Sequence, residues 1–293
     1  MRRFVLAAAV AVAAAAGLPA CGSTGAGSSG ASAGAGGANA SPVSCTRASI
    51  QHELYHPGVL TAATDEPAFA PWFVTNTPAN GKGYESAVTY AIAARLGFRK
   101  SQVMWVKEPF TSAYAPGPKN FDFDINEVSY TPQRATAVTF SASYYPVQQS
   151  IVAIKGTPIV TRHSPAELKT YLYGDQIGTT GLTFINTQIQ PAATPKVFDT
   201  LAEAAAALTA HRIAALVTDT PTAQYMVTAQ MKGAVLVGQF RSTGEHFGLV
   251  FHQGNPLVTC VNKAIAALSA DGQLAALSKQ DLQIYNSFPT IRP

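Results

Sequence analysis

The hydrophobic residues of the chain fall into short runs broken by turn-formers, and the period of the runs alternates. GVLTAATDEPAFAPWFV (58–74) is apolar and β-branched and is interrupted by Asp-Glu-Pro, which predicts a strand followed by a turn. Over 83–98, Val88, Ala91, Ile92 and Leu96 recur at three- and four-residue spacing, one apolar helix face that Gly97 stops. MWV (104–106) and FDFDINEVS (121–129) read as strands, the second reached through a PGPK turn at 116–119. SIVAIKG (150–156) reads as a strand, and SPAELKTYL (164–172) as a helix opened by capping-box chemistry between Ser164 and Glu167. IGTT (177–180) is expected as a short strand entering a glycine loop, followed by a helix over 201–212 and strands over 213–219, 234–240 and 247–251. Two helical stretches flank the Asp271-Gly272 break within 255–280. Strand–helix alternation predicts an α/β architecture with parallel strands, in two units of about 100 residues each.

Composition narrows the class. The 293 residues are 47% hydrophobic and 12% charged, too apolar and too weakly charged for a disordered chain. The formal charge of +4 includes Arg2 and Arg3, and the other Lys and Arg residues are scattered, so a nucleic-acid surface is not expected. The first twenty residues read as a targeting segment: after the two arginines comes a 13-residue apolar run, 4–16, shorter than the roughly 20 residues of a membrane span. Leu18 to Cys21 (LPAC) resembles the bacterial lipobox, which implies lipidation of Cys21. An ordinary secretory signal with a chance cysteine is the alternative. Residues 22–44 hold seven Gly and six Ser and no large apolar side chain, so 21–44 is expected to act as a flexible tether with a reach of roughly 25 Å. The chain is thus expected to be exported and lipid-anchored to the outer face of the cell membrane. With Cys21 committed to lipid, Cys45 and Cys260 are an even pair in an oxidising compartment and are expected to form a disulfide; two buried free thiols are the alternative. Neither has His or Cys neighbours at metal-ligand spacing.

Several segments, in order, resemble the family 3 extracellular solute-binding proteins, the amino-acid receptors of ABC transporters: TDEPAFAPW (64–72), GKGYESAVTYAIAARLG (81–97), FDFDINEVSYTPQRATAVTFSASYY (121–145), HRIAALVTD (211–219) and GLVFHQGNPL (248–257). The resemblance implies a type II periplasmic-binding-protein-like fold, two α/β lobes joined by two crossing strands with ligand in the cleft. Transferred here, the crossings fall near 146–152 and 240–246, lobe 1 takes 46–147 plus 245–293, and lobe 2 takes 150–240. The implied partners are an amino acid and a permease with a separate ATPase, with no cofactor; the chain is expected to be a monomer.

The resemblance also implies a ligand set. A zwitterion buried in a cleft needs one fixed cation and one fixed anion, because each desolvated charge costs several kcal/mol unless paired. Arg134 matches the family's carboxylate-clamping arginine, whose planar fork meets a carboxylate with two hydrogen bonds. Asp219, ending IAALVTD, matches the ammonium-binding aspartate; capping the following turn is its alternative role. Ser129 is expected to serve the same head group as Arg134. Thr183 is the candidate from lobe 2, with Thr180 open beside it because the GTTGLTF loop is one residue short. Phe69 and Phe110 match the apolar walls. Asp65 and Glu127 lie at the side-chain end and lean the reading towards polar ligands such as arginine or glutamine. No catalytic residue is assigned: the chain has no G-x-S-x-G, H-E-x-x-H or phosphate-loop motif. A dehydratase-type enzyme with His246 beside Glu245, or a ligand sensor without transport, are the rival readings.

Overall fold

The computed structural model describes residues 44–241, 244–282 and 289–291. The expectations for 1–20, for Cys21 and for most of the tether lie outside the described residues. Among the described residues no helix is long and apolar enough to cross a membrane.

The chain runs β1 (Leu60–Thr64), α1 (Tyr84–Arg95), β2 (Val103–Lys107), α2 (Phe110–Ala113), β3 (Phe123–Asp124) and β4 (Thr139–Pro146). It continues with β5 (Gln149–Ile154), α3 (Pro165–Leu168), β6 (Gly174–Gln176), α4 (Thr180–Phe184), β7 (Lys196–Phe198), α5 (Leu201–Thr209), β8 (Ala215–Asp219), α6 (Thr220–Tyr225) and β9 (Ala234–Phe240). β10 (His246–Phe251), α7 (Leu257–Ala270), α8 (Gln273–Asp281) and β11 (Thr290–Ile291) complete it. One sheet has the order β2-β1-β3-β10-β4 and a second β11-β9-β5-β8, with β6 and β7 paired beside the second. The chain passes between the two main sheets after β4 and again after β9.

The sheets are mixed, where parallel pairing was expected. β1 is parallel to β2 and β3, but β10 runs antiparallel to β3 and β4, and β5 antiparallel to β8 and β9. The two strands that run against their neighbours, β5 and β10, are the first strands after each passage between the sheets. β11 also differs from the expected assignment of 245–293 to the first lobe. It pairs with the free edge of β9, and Ile291 is buried there against Gly238.

Helix α1 buries Val88, Ile92 and Leu96 as its spacing requires, while Ala91 stays half-buried. Its first turn also buries Glu85, a placement that returns at the site. The capping box expected at Ser164 is absent; Ser164 Oγ donates to the Glu167 carboxylate instead, and α3 closes after four residues. A full box forms at Thr200 and Glu203, opening α5. IGTT is not a strand: β6 ends at Gln176, and Thr179 caps α4 by accepting from Leu182 N. The first lobe's core gathers Trp72, Tyr84, Tyr145 and Phe247 in edge and tilted contacts at 5.4–6.0 Å. The Cys45–Cys260 disulfide ties the start of the described body to α7 beside this core.

Candidate functional site

The site lies between the sheets, at strand ends and the turns that follow them, where an open α/β sheet exposes backbone and short polar side chains. Asp65 follows β1, Glu127 and Ser129 follow β3, Arg134 opens a short turn before β4, Gln149 begins β5, and Asp219 ends β8. One cavity is lined by Asp65, Phe69, Phe110, Glu127, Arg134, Gln149, Thr180 and Asp219, with further groups from both sides.

Arg134 is 9% exposed. Its Nη1 donates to Ser129 O (2.6 Å) and its Nη2 to Gly178 O across the cleft (2.8 Å). The guanidinium lies over the Tyr114 ring at 4.2 Å and near Phe110 at 5.6 Å. Burial lowers its pKa, opposed by Tyr114 and by the charge of Glu245; an arginine nonetheless stays charged at physiological pH.

Asp219 ends β8 at the start of α6. Its Oδ1 accepts Thr222 N at 3.0 Å, capping α6, and its carboxyl also lines the cavity. Glu127 and Asp219 both line the cavity, and each carboxyl group acts on the other. Burial raises both pKa values; for Glu127 the charges of Asp219 and Glu85 then push in the same direction, well above the usual carboxyl range. We therefore place a proton on Glu127 and the negative charge on Asp219. Thr222 joins the pair from α6: its Oγ1 accepts from Trp72 Nε1 (2.7 Å) and donates to Glu127 Oε2 (2.8 Å). Beneath them Glu85 accepts from Glu127 N (2.7 Å) and from the Tyr144 hydroxyl, and burial raises its pKa to about 8. Asp175, also lining the cavity, is pushed well above its ordinary value by burial.

The lobes meet through these groups. Arg134 and Tyr114 both donate to Gly178 O, Trp72 and Glu127 meet Thr222, and Ser129 Oγ is 3.4 Å from Thr180 Oγ1. Gly181 is required for the approach of α4 to β8. A Cβ there would stand 2.3 Å from Val217 O and 2.6 Å from Asp175 Oδ2.

Of the residues singled out from sequence, Asp65, Phe69, Phe110, Glu127, Arg134 and Asp219 line the one cavity, and Ser129, 1% exposed, sits directly behind it. Thr183 does not join them. It lies one turn into α4, exposed, and both its N–H and its hydroxyl donate to Thr179 O. Thr179, Thr180 and Gly181, at the start of α4, take the cavity wall instead. Sequence reading missed Tyr114, Gln149, Thr222, Glu245 and Trp72. Only Thr222 carried a signal, as the third residue after a strand-end aspartate. His246 stacks on Tyr130 at 5.5 Å, clear of the cavity lining.

Comparison with known proteins agrees with this geometry. The model of the bacterial extracellular solute-binding proteins, family 3, matches residues 60–282. A search of curated proteins finds no match. Among solved structures, an ancestral arginine-binding protein bound to glutamine is similar at 27% identity, covering 76% of this chain and 97% of its own, with a TM-score of 0.66. An ancestral amino-acid-binding protein described as a precursor of cyclohexadienyl dehydratase is similar at 25% identity, with coverages of 80% and 98% and a TM-score of 0.65. An amino-acid ABC transporter substrate-binding protein from Streptococcus pneumoniae bound to L-arginine shares the fold at 21% identity, with coverages of 82% and 99% and a TM-score of 0.66. With three-quarters of the chain matched by the family model, this protein belongs to the bacterial extracellular solute-binding proteins of family 3.

Proposed function

We propose that the protein is an extracytoplasmic receptor for a cationic α-amino acid, which it delivers to an ABC transporter permease served by a separate ATPase. The carrying observation is the charge pattern of the cavity. Arg134 is the one cation among its described lining residues, facing Asp219 with Glu127, and Asp65 adds a carboxyl group towards Phe69. The ligand carboxylate would pair with the Arg134 N–H groups not taken by Ser129 O and Gly178 O. Its ammonium would pair with Asp219, and a cationic side chain would lie between Phe69 and Phe110 towards Asp65. Similarity to an ancestral arginine-binding protein supports the ligand class.

Lobe 1 is taken as 46–147 with the return from 245, and lobe 2 as 150–240 joined by β11. The cross-cleft bonds of Arg134, Trp72 and Thr222 favour the closed arrangement, and a ligand that binds this arrangement better than the open one drives closure. Lipid on Cys21 and the 22–44 tether would hold the body at the outer membrane face. The reading is binding without catalysis. A thermal-shift screen against the twenty amino acids tests it: at 100-fold excess over Kd a true ligand adds about 2.7 kcal/mol of stability. Arginine, lysine or another cationic amino acid is expected to give the largest shift, and no shift from any of the twenty would sink the reading.

A further inference from the structure

Glu245 lies in the second crossing, immediately before β10, and its side chain turns to the carboxylate-reading end of the cleft. Its Oε1 accepts from Ser129 Oγ at 2.6 Å, and Gln149 Nε2 stands 3.2 Å from both of its oxygens. Thr180 Oγ1 is 3.4 Å from the same serine oxygen and 3.5 Å from the same amide nitrogen. Ser129 from one lobe and Gln149 from the other thus converge on one carboxylate. Glu245 makes no ion pair with a described Lys or Arg. Its charge is felt across the site, at Arg134 and at Asp219.

A serine hydroxyl has one proton to give. While Ser129 donates to Glu245 it offers an incoming carboxylate only lone pairs, and a ligand carboxylate at Arg134 also meets the like charge of Glu245. The same charge attracts the cationic part of a ligand. We propose that Glu245 is a specificity-determining residue of the cleft: it holds the Ser129 proton, weakens the hold on the ligand's α-carboxylate, and moves the preference towards cations that lack one. This rests on the reading of the cleft as a receptor for a cationic amino acid.

Two probes separate the terms, because agmatine is arginine without its carboxylate. Calorimetry on the full folded chain compares both ligands with wild type and Glu245→Gln, an uncharged residue of the same shape whose carbonyl still accepts from Ser129. The expected result is opposite in sign for the two ligands: arginine binds at least about tenfold tighter to the variant, since juxtaposed like charges are strongly unfavourable, while agmatine binds no tighter than before. Arginine affinity unchanged or weakened in the variant overturns the proposal, as does an equal gain for both ligands. Should Glu245→Gln fail to fold, the wild type decides alone: agmatine within about tenfold of arginine supports the proposal, and a preference for arginine beyond about a hundredfold, near 2.8 kcal/mol, overturns it. If wild type binds neither these probes nor any amino acid, the receptor reading itself fails, and the role of Glu245 falls with it.

Discussion

Ligand binding should expel a proton. Burial and the charges of Asp219 and Glu85 raise the Glu127 carboxyl well above its ordinary range, which favours a proton there. A ligand ammonium placed against the pair supplies the positive charge the proton had supplied, so the Glu127 pKa falls on binding and the proton leaves. The sign follows from linkage: the free protein binds more protons than the complex, so affinity rises with pH wherever the pair titrates. With one proton exchanged the ceiling is tenfold per pH unit, or about 2.7 kcal/mol over two units at about 1.36 kcal/mol each. The assay is titration calorimetry with a cationic amino acid, repeated in buffers of different ionisation enthalpy. The slope of the observed enthalpy against that of the buffer counts protons directly. We expect release approaching one proton, and its disappearance in Glu127→Gln, whose amide can still accept from Thr222. Binding that neither releases a proton nor varies between pH 6 and 8 would refute the placement of a proton on Glu127.

Other expectations follow from single placements. Glu85 is raised to about 8 by burial, so the folded state binds a proton more tightly than the unfolded chain, and its stabilising effect is complete below the ordinary value of 4.5 and lost as pH rises through about 8. At about 1.4 kcal/mol per unit this is on the order of 5 kcal/mol, and Glu85→Gln should raise the Tm at pH 8.5 relative to pH 5, read by calorimetric melting. Trp72 donates to Thr222 across the cleft and Trp105 does not, so Trp72 fluorescence should change with ligand in a Trp105→Phe background; an unchanged spectrum would dissociate Trp72 from closure. Gly181→Ala places a methyl group 2.3 Å from Val217 O, and should lower both Tm and ligand affinity in a thermal-shift titration. Replacing Cys45 and Cys260 together by serine removes a link across 215 positions, which loop-closure entropy values at about 5 kcal/mol, and should lower the Tm by roughly 10 °C.

Much of the architecture is written in local pattern. The strands at 60–64, 103–107, 149–154, 215–219, 234–240 and 246–251 coincide with apolar runs, and α1 and α7 follow the three- and four-residue spacing of their buried faces. Where the pattern misled, a longer-range contact decided. IGTT has the composition of a strand, but Thr179 caps a helix there, and Thr180 rather than Thr183 lines the cavity. The C-terminal strand was not legible because two residues of pairing against β9 carry no periodicity. At the site, Arg134 and Asp219 were marked by motif and position. Glu245, Gln149 and Thr222 were not, since their importance comes from partners 95 to 116 residues away. Glu85 was the deepest miss: in sequence it is an ordinary acidic first-turn residue, and only the fold shows it buried under Glu127.

The central claim is that Arg134 from one lobe and Asp219 from the other neutralise the two ends of a single amino acid. Calorimetric titration of L-arginine into wild type, Arg134→Ala and Asp219→Asn, each first shown to be folded by circular dichroism, tests it most directly. Truncating one member of a buried charge pair costs upwards of about 2 kcal/mol, so each variant should bind at least about thirtyfold more weakly than wild type. Wild-type affinity in either folded variant would contradict the account.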